Sequence, residues 1–109
     1  MITLAVGVIT GHKARGTARL QAGRRRRRRA VHLEDLWVAP SAPNVRLYVS
    51  PGTDGRVDDT AVDLGALPDH PERVSRSLPG TVAADEVRSV IVYCKVDAEH
   101  LGAATLTLT

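Results

Sequence analysis

The sequence predicts an all-β domain, an antiparallel sandwich or barrel of about seven to nine short strands. Three observations carry that expectation. Short apolar runs alternate with polar positions at a period of two, and clusters of Gly, Pro, Asn and Asp separate them. No stretch holds a helical period long enough for an amphipathic helix. At 109 residues the chain has the length of a single domain, 1–109, with one core. With no Phe, one Trp and two Tyr, that core must be filled by Val, Leu, Ile and Ala, and aromatic cages or stacking platforms are not expected.

Residues 2–9 read as a first strand, Leu4, Val6 and Val8 alternating with Thr3, Ala5 and Gly7. Thr10 to Gly16 form a polar turn with His12, Lys13 and Arg15. The alternation resumes over Gly16 to Leu20, with Ala18 and Leu20 inward, and Ala22-Gly23 close a hairpin. A second hairpin strand, Arg27 to Leu33, emerges from a run of six arginines, Arg24, Arg25, Arg26, Arg27, Arg28 and Arg29, and Glu34 to Trp37 end it. Two prolines fix the loop at 39–43. Asn44 to Ser50 is a clear strand with Val45, Leu47 and Val49 inward and Arg46 and Tyr48 outward. A short strand over Ala61 to Leu64, a turn over 65–71, a weakly patterned extended stretch over 72–78 and one helical turn over 84–87 follow. Residues 88–95 are β-branched and apolar on both faces, Val90, Val92 and Cys94 on one and Ile91 and Tyr93 on the other, which fits a strand buried on both sides. Lys95 to Gly102 read as a loop and Ala103 to Thr109 as the last strand.

The charge is unevenly placed. The arginine run supplies six of 15 basic groups, and outside it nine basic groups face 12 acidic ones, so the net charge of +3 is a local feature. A run set between two strands is sufficiently explained as a charged hairpin in water. Nonspecific, salt-sensitive adhesion to an anionic polymer or membrane surface is expected of it, and specific nucleic-acid recognition is not. The single cysteine excludes an internal disulfide and a multi-cysteine zinc site. Residues 2–9 are too short to span a membrane and lack the basic start and cleavage pattern of a secretory signal, so a soluble chain is expected.

Six pieces of the chain, in order and at this spacing, carry a family resemblance. They are His12-Lys-Ala-Arg-Gly-Thr-Ala18, Leu33-Glu-Asp-Leu36, Pro43-Asn-Val-Arg-Leu-Tyr-Val-Ser50, Val62-Asp-Leu-Gly-Ala-Leu67, Ser89-Val-Ile-Val-Tyr-Cys-Lys95 and Leu101-Gly-Ala-Ala-Thr-Leu106. Over about 7–106 the chain resembles the DM-thirteen domain, a small β-rich module with a proposed electron-transfer role, found beside DOMON domains in animal proteins and as a short domain in bacterial ones. Val8, Leu36, Tyr93 and Leu101 stand where the family tends to place aromatics, and the arginines replace a short polar hairpin. The resemblance implies secretion or a membrane anchor for many members. It also implies that Cys94 is the family's cysteine, serving redox chemistry or holding a redox group.

A thiol reacts as its thiolate, which needs nearby positive charge or a metal. Lys95 points to the opposite face, so the candidate partner is His12, whose imidazole would make a Cys-His pair suited to metal binding or redox sensing. His32 reads as a solvated strand residue and His70 as a turn residue. His100, six residues beyond Cys94, is similar in placement to the histidine of blue-copper loops, but that chemistry needs a second histidine and usually an axial methionine, and Met1 is the only methionine. Asp58-Asp59 and Asp97 with Glu99 read as solvated turn acids. No metal site is assigned, and a metal or redox group at Cys94 is the one cofactor the resemblance allows. No nucleophile-plus-base motif, phosphate loop or catalytic carboxylate pair appears, so an enzyme is not expected.

The resulting reading is a redox or electron-transfer accessory domain centred on Cys94, with His12 as partner and a redox protein as client. Its rival is a noncatalytic binding module using the arginine hairpin, whose binding would collapse as salt rises and survive Cys94→Ser. A purely structural domain, with Cys94 a small buried hydrophobe, is the third. Exposed strand edges or an accessible thiol would support a homodimer.

Overall fold

The computed structural model describes residues 2–23, 29–40, 44–53, 57, 59–68, 72–80, 82, 86–96 and 98–108. Among them nine strands form where the period-two pattern runs: β1 (Ile2–Ile9), β2 (Ala14–Ala22), β3 (Arg29–Val38), β4 (Val45–Ser50), β5 (Val62–Ala66), β6 (Val74–Ser77), β7 (Ser89–Cys94), β8 (Glu99–Thr105) and β9 (Thr107–Leu108). All pair antiparallel, in a five-stranded sheet ordered β6-β3-β2-β1-β9 and a four-stranded sheet ordered β5-β4-β7-β8. The expected all-β sandwich is the fold.

The aliphatic composition predicted for the core is what fills it. Leu20, Val31 and Leu33 from the first sheet face Leu47, Val49, Val90, Val92 and Leu101 from the second, and each is at most 1% exposed. Burying each such side chain contributes roughly 1.5–3 kcal/mol before the entropy of ordering it is counted. At one corner the two sheets join directly. Thr10 and Ala103 exchange backbone hydrogen bonds of 3.0 Å, and Lys13 N–H donates to the Leu101 carbonyl at 3.2 Å. Near the opposite corner, Arg76 on β6 donates to the Ala66 carbonyl on β5 at 2.9 Å.

Five sequence expectations are corrected. In β1 the set that includes Ala5 and Ile9 faces inward: both are buried while Val8 is 64% exposed. A Cβ at Gly7 would strike the Thr105 carbonyl, so only this face can approach β8 so closely. The strand expected to end at Glu34 to Trp37 runs on to Val38. Asp35 takes a left-handed φ of 50° there, which turns Leu36 into the core with its N–H donating to the Glu72 carbonyl at 3.1 Å. Gly65 and Ala66 belong to β5 rather than to the turn, helped by the positive φ of 111° at Gly65. The loop expected over 95–102 is shortened because β8 already begins at Glu99, which pairs with Cys94, after Ala98 at φ 50°. Finally, the last strand breaks at Leu106, whose N–H donates to the Arg88 carbonyl at 2.8 Å as the chain passes from one sheet to the other. Residues 84 and 85 of the helical turn expected over 84–87 lie outside the described residues.

Candidate functional site

Cys94 is the last residue of β7, and it stands in a row across the four-stranded sheet between Val45 on β4 and Glu99 on β8. Its side chain belongs to the face shared by Val90 and Val92 and is 1% exposed, packed into the core cluster. Directly opposed residues of an antiparallel pair project to the same face. Glu99 therefore leaves its strand on the Cys94 side, at the end of the sandwich, and its carboxylate reaches the turn between β1 and β2. There Oε1 takes both His12 Nε2, at 3.0 Å, and Lys13 Nζ, at 2.8 Å.

The backbone fastens this turn as well. Besides the bond from Lys13 to Leu101, Ala39 N–H donates to the Lys13 carbonyl at 2.8 Å. Gly11 lies so close to β8 that a Cβ would overlap the Leu101 carbonyl oxygen and sit 2.6 Å from the Gly102 Cα. Glu99 thus ties this turn to β8 at the strand position paired with Cys94.

Hydrogen bonds from Lys13 and then His12 hold the Glu99 carboxyl below its ordinary value of 4.5. A carboxyl with a lowered folded-state pKa stabilises the fold above its unfolded value, and that contribution disappears as pH falls through the folded value. Acid unfolding of the native protein should therefore steepen below pH 4.5, and Glu99→Gln should flatten that limb in a denaturant titration repeated across pH. An unchanged limb would mean that the pairing does not persist in solution.

The outer face of the same sheet carries a separate polar and aromatic group. Tyr93 meets Tyr48 edge-on, with centroids 5.6 Å apart, and His100 at 5.0 Å. His100 Nε2 accepts the Val57 N–H at 3.3 Å. Arg46 Nε donates to Asp63 Oδ2 at 2.7 Å. Burial pushes the Asp63 carboxyl up, but hydrogen bonds from Arg46 and the Gly65 N–H outweigh it and hold the group below its ordinary 3.8. Tyr48 is raised above 10.0, first by burial and then by the Asp63 charge. Lys95 adds its field to Asp63, so it serves this outer face rather than the thiol.

The sequence-derived candidates are therefore distributed unequally. His12 is brought to the Cys94 end of the sandwich, where its ring nitrogen engages Glu99, the neighbour of Cys94 on β8. His100 sits on the face of the β7–β8 pair opposite Cys94. His32 pairs with Glu34 at 3.3 Å on the outside of the five-stranded sheet. Arg29 begins β3, while Arg24 to Arg28, His70, Asp58 and Asp97 lie outside the described residues. Glu99, read from sequence as a solvated turn acid, is the residue that pattern reasoning missed. The only signal that could have found it was a shorter turn after Cys94, which would place a carboxylate opposite the thiol.

A family model described as electron transfer DM13 matches residues 8–106. The chain belongs to the electron transfer DM13 family. Neither a curated relative nor a solved structure matches it. The description of the DM13 family suggests a role related to electron transfer. Among the described residues no helix is long and apolar enough to cross a membrane.

A redox group held by Cys94 does not fit the closed arrangement of this DM13 domain. The thiol is packed inward at 1% exposure, and among the described residues no three His, Cys, Asp or Glu side chains converge on a common point.

Proposed function

We propose that this domain acts as an accessory module in electron transfer, with Cys94 as a gated redox thiol. The supporting observation is that Glu99, directly opposite Cys94, is clamped by His12 and Lys13 from the other sheet. The thiol is protected in the closed state, and one polar latch, rather than the whole core, controls access to it. In the opened state the Cys94 thiolate attacks a disulfide of a partner. A new sulfur–sulfur bond to Cys94 forms as the partner's bond breaks, and one partner thiolate leaves with the electron pair. Lys13, released from Glu99, supplies positive charge at the mouth, which favours the thiolate.

Oxidised glutathione serves as the test disulfide. The native protein should form a single mixed disulfide at Cys94 faster than it unfolds globally, and Glu99→Gln should speed that reaction several-fold at neutral pH. Lys13→Gln, which loosens the same contact but removes the activating charge, should speed it less than Glu99→Gln does. If adduct formation only keeps pace with global unfolding, and the two variants change it no more than their stabilities dictate, Cys94 is a core residue and the reading fails.

A further inference from the structure

At the end of the sandwich away from Cys94, the sheets part around a cavity of about 370 Å³. Its floor is Ala5 and Leu20, which are 2% and 1% exposed, and its walls are Val87 and Leu106. The space arises where the chain leaves β8 at Leu106 to reach the other sheet, opposite a residue as small as Ala5. Leu108 stands on the rim at 83% exposure, an apolar side chain held in water. Arg88 and Thr53 complete the rim and are its polar groups.

The backbone of Arg88 is fixed on both sides, and its side chain is exposed. Its N–H donates to the Ser50 carbonyl at 2.9 Å, and its carbonyl accepts the Leu106 N–H at 2.8 Å. No carboxylate among the described residues pairs with its guanidinium. An arginine on the rim of an apolar well is complementary to an amphipathic anion: the guanidinium fork matches a carboxylate, and the well takes an aliphatic tail. The volume falls near the lower end of the roughly 300–1,000 Å³ range of small-molecule sites, which favours a short tail.

We propose that this cavity binds a medium-chain organic carboxylate. The tail lies on Ala5 and Leu20 beneath Leu108, and the carboxylate pairs with Arg88 and accepts a hydrogen bond from the Thr53 hydroxyl. The site is separate from the thiol, at the opposite end of β7.

Octanoate is the test probe, titrated into the full chain with backbone amide NMR shifts and calorimetry as readouts and octanol and octylammonium as comparators. Saturable shifts centred on Ala5, Leu20 and Val87 are expected, with octylammonium failing to bind and octanol binding more weakly than octanoate. Arg88→Gln should weaken octanoate about tenfold, the scale of one lost charge-assisted hydrogen bond at a partly wet site. Leu108→Asp, which sets a like charge on the rim at an exposed position, should weaken it at least as much. Both substitutions are at the surface, and an unchanged amide spectrum without ligand verifies their folding. Absence of saturable shifts, shifts centred elsewhere, equal binding of octanol, or unchanged affinity in Arg88→Gln would each overturn the proposal.

Discussion

Gly11→Ala is expected to destabilise the domain by about 3 kcal/mol, the upper part of the usual range for overpacking. The residue is exposed, and a surface substitution ordinarily changes stability by only about 0.5 kcal/mol either way. Here the obstacle is backbone: the new methyl would overlap the Leu101 carbonyl oxygen and crowd the Gly102 Cα, and neither can swing away as a side chain can. Relief requires the turn to lift off β8. That lift strains the bond from Lys13 N–H to Leu101 and draws Lys13 and His12 away from Glu99. Two effects should thus appear together, a melting temperature lowered by roughly 10–20 °C and faster reaction of Cys94 with a small thiol reagent below the transition. Calorimetry and labelling on the same preparation check them. A stable variant with a protected thiol would mean that the turn has slack and does not guard the end of the core.

The second large effect falls on the other face of the cysteine strand. Ile91→Ala should cost about 2–5 kcal/mol, as for a fully buried aliphatic residue. Ile91 is fully buried although it points away from the space between the sheets, flanked across the ladder by Tyr48 on β4 and Ala103 on β8. Truncation leaves a hole beside the Tyr48–Tyr93 contact and removes apolar area that water cannot fill favourably. Val92→Ala, on the core face of the same strand, is the internal comparison, and the Ile91 variant should be the less stable of the two in urea. A cost below about 1 kcal/mol would mean that the outer face is wetter than its geometry indicates.

The doubly apolar pattern of 88–95 made this second result readable in the sequence, since a strand with Ile91 and Tyr93 on one side and Val90, Val92 and Cys94 on the other has no face to give to water. Strand content and the inward sets of β2 and β4 were legible for the same reason. Where the pattern misled, local backbone overruled it. The left-handed Asp35 carries β3 past an apparent end, and a tight turn through Ala98 converts an apparent loop into the start of β8. Val8 was set outward by a backbone contact at Gly7 that no periodicity reports. At the site, sequence supplied Cys94 and His12 as separate residues. Glu99, which links the two, depends on the register of the β7–β8 hairpin, a property of one turn geometry that composition does not specify.

The margins of the five-stranded sheet bear on how the protein behaves when concentrated. One border strand, β6, has four residues, and the other, β9, has two. Beyond β9, the far end of β1 is tied to β8 through Thr10 and Ala103. A neighbouring chain that tried to extend the sheet would find only a few consecutive amide and carbonyl groups before the template ran out or turned a corner. A strand-rich, aliphatic sequence of this kind carries an intrinsic tendency toward fibrils, and these abbreviated borders guard the five-stranded sheet against it.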